Sequence, residues 1–336
     1  MKTWLMILVL TLVNLRLCLG KDAPEDYLRK GREYILQGSF EQAKIELGYV
    51  PRASRDYGPA RLLSEVAKDA IDRKIQTDTA VLLCRGIDSG YNDQWDNALV
   101  LFDKAVSLEP DYPKAYAMRG NVYAYKGDYD RAIADYDRAI ELNPANAGFY
   151  NDRGITYFDK NNLNQAIADL SRAIEMDPVY QAAYFNRADA YISSGKYDQA
   201  IADYSALISM DGENNDAVFS RGMVLCYHKS RYDEAIADFS RVLEKSPQDT
   251  EAYYNRGVAY AAKRLYDQAL ADFNMVVIIN PQGPLAYFAR ADVYEKTGRL
   301  KEAADDYRFF IRNAASADFG LIQRAQERIK SLEKSS

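Results

Sequence analysis

Seven arginines recur at a near-constant interval, Arg85, Arg119, Arg153, Arg187, Arg221, Arg256 and Arg290, and six of them are followed by an aspartate: Asp135, Asp169, Asp203, Asp238, Asp272 and Asp306. Guanidinium and carboxylate at such a spacing can neutralise one another as bidentate ion pairs, or the arginines can line a groove for an anion. Six arginines have a carboxylate of their own, so ion pairs are the expectation; for Arg85 the corresponding place holds Leu101. Nothing else has the composition of a reactive centre. The single histidine, His228, lies two residues from Cys226, too little for a Ser-His-Asp triad or a multi-histidine metal site. Glycines occur singly, never as a phosphate loop, and the carboxylates are spread along the chain. The sequence therefore predicts no enzyme, no metal and no cofactor.

The elements that carry these residues follow from the period. An alanine recurs at Ala98, Ala132, Ala166, Ala200, Ala235, Ala269 and Ala303, with one interval a residue longer than the rest. A period of about 34 residues marks an array of helix pairs. In the stretch 113–146 the apolar and small residues Tyr116, Gly120 and Tyr123 share one face of a helix A over 114–125. Tyr129, Ala132, Tyr136 and Ala139 share one face of a helix B over 129–142. Gly120 and Ala132 let the two helices approach closely, and Pro144 ends helix B.

An aromatic, Gly and Tyr on helix A, with Ala, Phe/Tyr, Ala and a closing Pro on helix B, resemble the tetratricopeptide repeat family. The resemblance implies an all-α, right-handed solenoid of antiparallel helix pairs with a C-terminal capping helix. Seven copies fit: 79–112, 113–146, 147–180, 181–214, 215–249, 250–283 and 284–313, followed by a cap over 314–336. Upstream, 21–78 holds a degenerate copy and a surplus segment, 58–78, that reads as one long unpaired helix. The family commonly has Leu where the seven arginines stand. Its co-chaperone carboxylate clamp is missing, since Ala117, Asp152, Ala182 and Asn186 occupy the places that matter.

In such a stack the concave surface is the outer face of helix A. Here it carries Asn121, Tyr125, Asn151, Phe158, Phe185, Asn186, Asp189, Phe219, Tyr254, Asn255 and Phe288. Aromatic rings supply desolvated contact area and Asn side chains bond a peptide backbone, so the face suits an extended peptide or a partner protein. Two readings of the rings stay open: a binding groove, or wedges packed between neighbouring helices. A carbohydrate or cell-wall surface could use the same residues.

At the start, Lys2, an apolar run from Trp4 to Val13 and small or polar residues read as a secretory signal cleaved after Gly20. The run is short for a membrane span and is interrupted by Asn14 and Arg16. Attachment through Cys18 is an alternative, although Leu17 stands where a lipoprotein signal needs a small residue. Without residues 1–20 the chain has 41 basic and 49 acidic residues, which makes nucleic acid an unexpected partner. Cys84 and Cys226 belong to distant copies, so no disulfide is expected. The absence of any Asn-x-Ser/Thr sequence favours a bacterial periplasm.

Overall fold

The computed structural model describes residues 23–52, 54, 57–315 and 318–335. The leader, its cleavage point and Cys18 lie outside them. Among the described residues there are eighteen α-helices and no strand, and no helix is long and apolar enough to cross a membrane. The helices fall into two compact units divided between Met176 and Asp177.

The N-terminal unit comprises α1 (Pro24–Leu36), α2 (Phe40–Leu47), α3 (Tyr57–Ile71), α4 (Thr77–Tyr91), α5 (Trp95–Leu108), α6 (Pro113–Tyr125), α7 (Tyr129–Leu142), α8 (Ala147–Asp159) and α9 (Leu163–Met176). The C-terminal unit comprises α10 (Gln181–Ser193), α11 (Tyr197–Met210), α12 (Asn215–Tyr227), α13 (Tyr232–Lys245), α14 (Thr250–Ala262), α15 (Tyr266–Ile279), α16 (Pro284–Lys296), α17 (Leu300–Asn313) and α18 (Phe319–Ser335). Consecutive helices pack as pairs within each unit.

Local chemistry sets the boundaries. Asp128 caps α7 by accepting from the Arg131 amide, and Asp249 caps α14 by accepting from the Ala252 amide. Each helix A of the C-terminal six copies ends with one residue in the left-handed region: Gly127, Asn161, Gly195, Ser230, Arg264 and Gly298. At Gly127 the chain then reverses, its amide bonding the Ala124 carbonyl at 2.9 Å and that of Asp128 bonding the Tyr123 carbonyl at 2.9 Å. The seven periodic alanines are wholly buried where the helices cross. A Cβ on Gly257 would meet the Phe273 ring at 2.8 Å, which explains why only glycine is accommodated there.

The surplus segment departs from its expected form. Helix α3 stops at Ile71, Arg73 takes a left-handed conformation, and the Lys74 amide turns back onto the Asp69 carbonyl, so a new helix begins at Thr77. Nor does α3 stand alone, since it packs on α1, α2 and α4 with Leu63, Val66 and Ala67 fully buried. Buried Asp69 fastens it to the start of α6, accepting from the Tyr112 hydroxyl at 2.8 Å and pairing with Lys114 at 2.8 Å. Burial alone would raise the Asp69 pKa; Lys114 and the Tyr112 hydroxyl more than offset this and hold it below the usual carboxylate range.

Candidate functional site

The arginines are structural, and their geometry explains why. Arg119 sits on α6 and sends Nε and Nη2 to the Asp135 carboxylate on α7, at 2.8 and 2.6 Å. The same fork joins Arg153 to Asp169, Arg187 to Asp203, Arg221 to Asp238, Arg256 to Asp272 and Arg290 to Asp306. All six aspartates are buried. The sequence reading missed the remaining nitrogen. Nη1 of Arg119 donates to Asp103 at 2.8 Å, that of Arg153 to Asp137 at 2.5 Å, that of Arg221 to Ser205 at 3.1 Å, that of Arg256 to Ser240 at 3.0 Å and that of Arg290 to Asn274 at 2.7 Å. Each of those acceptors lies on helix B of the preceding copy. One guanidinium thus closes its own pair and fixes that pair to its neighbour. The signal was present, because this place always holds a short side chain that can accept.

Tyrosines on the same helix flank the guanidinium. Arg256 lies 5.5 Å from the Tyr253 ring and 5.9 Å from Tyr260, and Arg290 lies 5.1 Å from Tyr287 and 5.6 Å from Tyr294. Burial disfavours the Arg290 charge, but Asp306 outweighs it and the pKa rises. An anion-binding row would need unneutralised guanidinium groups, and these six are occupied.

The outer face of helix A is mixed in character. In the N-terminal unit, Tyr125 is 66% exposed and stacks on Trp95 at 3.9 Å. Asn121 is exposed, its Oδ1 accepting from the Tyr136 hydroxyl at 2.6 Å. Phe158 is half-buried, whereas Asn151 is buried and donates to Asp152 at 3.1 Å. Asp152 keeps some solvent contact but is hemmed in by protein at longer range. That desolvation pushes its pKa up to about 6, with Asn151 and more distant Arg61 pulling the other way.

In the C-terminal unit the rings do double duty. Phe185 meets Tyr204 at 5.9 Å, Phe219 meets Phe239 at 5.6 Å and Tyr254 meets Phe273 at 5.8 Å, each ring half-buried against helix B of its own copy. These contacts differ from wedges between neighbouring A helices, yet they make the rings part of the packing. Asn186 is half-buried and Asp189 exposed. Two expected contact residues are spent. Asn255 is buried, accepting from the Tyr227 hydroxyl at 2.6 Å and donating to the Glu251 carbonyl at 2.8 Å. Phe288 is buried beneath α18, with the Arg324 guanidinium 5.1 Å from its ring and Arg324 paired to Asp292 at 2.6 Å. Among the described residues no group of three or more His, Cys, Asp or Glu could hold a metal ion.

Models of the tetratricopeptide repeat match residues 101–134, 151–215, 185–250, 227–284 and 285–309, and a TPR repeat model matches 120–160. No curated protein matches the chain. Among solved structures it is similar to the C-terminal part of a TPR repeat-containing protein from Cytophaga hutchinsonii, 17% identical over 71% of this chain and 98% of that one, with a TM-score of 0.61. A tetratricopeptide repeat protein from Parabacteroides merdae is 19% identical over 76% of this chain and 99% of that one, at 0.52. These two likenesses concern the fold. A third is YrrB, described as a TPR protein with an unusual peptide-binding site, 25% identical over 56% of this chain and 97% of that one, at 0.50.

Proposed function

We propose, for a chain that belongs to the tetratricopeptide repeat family, a non-catalytic role: holding an extended peptide or a partner protein on the outer faces of its A helices. The observation that carries this reading is that Tyr125, Asn121 and Asp189 stay exposed on those faces while the arginines beside them are consumed by packing. Large exposed aromatic area with amide and carboxylate groups beside it suits a peptide, whose backbone offers both donors and acceptors. The peptide-binding site described for YrrB is consistent with such a use. The same reading places the protein in a bacterial cell envelope, on the strength of the signal-like residues 1–20.

Selection from a displayed peptide library tests the role. Tyr125→Ser should abolish binding of the recovered peptides with a nearly unchanged melting curve; binding retained at full strength would overturn it. For export, the mass of the protein recovered from cells that produce it should correspond to a start at Lys21, and an intact Met1 start would count against it.

A further inference from the structure

A cavity of about 350 Å³ opens in the N-terminal unit between α4, α5 and α6. Its walls are apolar and aromatic: Ile87, Tyr91, Trp95, Phe102 and Val122, with Asn121 as a polar member. The notch recurs between α10, α11 and α12 of the C-terminal unit, lined by Ile192, Tyr204, Phe219, Val224 and Tyr227 at corresponding places of the repeat. There Phe219 and Ile192 stand among the walls and the notch is smaller, about 280 Å³. In the N-terminal notch the place of Phe219 belongs to Ala117, and that of Ile192 to Gly90. The N-terminal notch is thus the wider of the two, lacking the ring and the branched side chain that line the other.

Building on the peptide-binding reading, we infer that this cavity receives an aromatic side chain of the bound peptide, against the stacked Trp95 and Tyr125 rings. A volume at the lower end of the range for ligand pockets suits a single ring and its immediate neighbours. Continuity supports a peptide as the source, because Asn121 and Tyr125 belong both to the cavity wall and to the exposed face. With its Oδ1 engaged by Tyr136, Asn121 keeps its amide nitrogen as a donor for the carbonyl beside the inserted side chain.

Trp95 reports directly on occupancy. In the full chain carrying Trp4→Phe it is the sole tryptophan. N-acetyl-phenylalanine amide should change Trp95 emission saturably, with N-acetyl-leucine amide about tenfold weaker, the discrimination an edge-to-face ring contact can supply. Gly90→Leu should abolish the response by filling the cavity. Gly90→Ala, whose added methyl would lie 3.4 Å from Trp95, should keep both the response and the melting curve. Equal binding of the two amides, or a response that survives Gly90→Leu, overturns the assignment. The library separates this inference from the reading beneath it. Peptides enriched for one aromatic residue and lost with Gly90→Leu support both; peptides without that residue, retained by Gly90→Leu, refute the cavity alone. A ring amide that binds where no peptide is recovered refutes the peptide as the source.

Discussion

Replacing Arg187 by methionine isolates what the buried pairs contribute. Arg187 holds Asp203 through two bonds of 2.9 and 2.6 Å; the aspartate side chain is 5% exposed and the arginine 17%. Burial already raises the Asp203 pKa above its ordinary 3.8, with Arg187 opposing it, so removing the guanidinium leaves desolvation in command. The orphaned carboxylate must stay charged in a poor environment, a loss of about 3–5 kcal/mol, or take a proton. Protonation of a group with that ordinary value costs about 4 kcal/mol at pH 7 and about 1.5 at pH 5. The smaller route sets the loss, so Arg187→Met should cost about 3–4 kcal/mol near neutrality and about 1.5 kcal/mol at pH 5. The sign follows from linkage: a raised native pKa gives stability that is complete below 3.8 and is lost as pH climbs through the native value. Asp203→Asn keeps the shape and leaves a cation with some access to water, so it should cost about 1.5–3 kcal/mol with little pH dependence. Urea titration followed by circular dichroism at the two pH values, with hydrogen exchange in α10 and α11, measures both because a repeat array need not unfold in one step. A pH-independent loss below about 1 kcal/mol for Arg187→Met, the range of exposed pairs, would refute the reasoning.

Other outcomes follow from the same packing. Ala132→Leu, at a wholly buried crossing, should lower stability by about 1–3 kcal/mol in the same titration. Arg264→Gly should raise stability by about 1 kcal/mol, because Arg264 holds a left-handed conformation that glycine adopts at less cost. Burial pushes the Cys84 thiol up to about 12 and Cys226 to about 11, so neither should react with a neutral disulfide reagent at pH 8 until denaturant is added.

The period of the alanines was enough to place the A and B helices, because the same small and apolar residue types recur at the same places of each copy. The Arg–Asp forks were legible for the same reason: both partners recur in one copy. What lay between copies was harder to read. Asp103, Ser205 and Asn274 differ in chemistry and share only the ability to accept, so no single residue type advertises the contact with Arg119, Arg221 or Arg290. Position on the outer face was a poor guide to exposure for Asn255, whose partner Tyr227 comes from the preceding helix A, and for Phe288, covered by the terminal helix α18. Helix α3 broke the period, and its end depended on a left-handed arginine that sequence propensity does not anticipate.

Within either unit, the three-way grip is unchanged when the pattern is shifted by one copy, from Arg119 to Arg153 and from Arg221 to Arg256 to Arg290. Any cut through the array that removes or adds a whole copy therefore rejoins an arginine to an acceptor behind it and a carboxylate ahead of it. The extra residue of the copy beginning at Asn215 shows how small length changes are tolerated. It falls in the turn between Arg221 and Asp238, lengthening that interval to 17 residues, while the interval back to Ser205 stays at 16. Length can thus grow or shrink by whole copies without redesign of the interior, and the outer face of helix A remains free to diverge from one copy to the next.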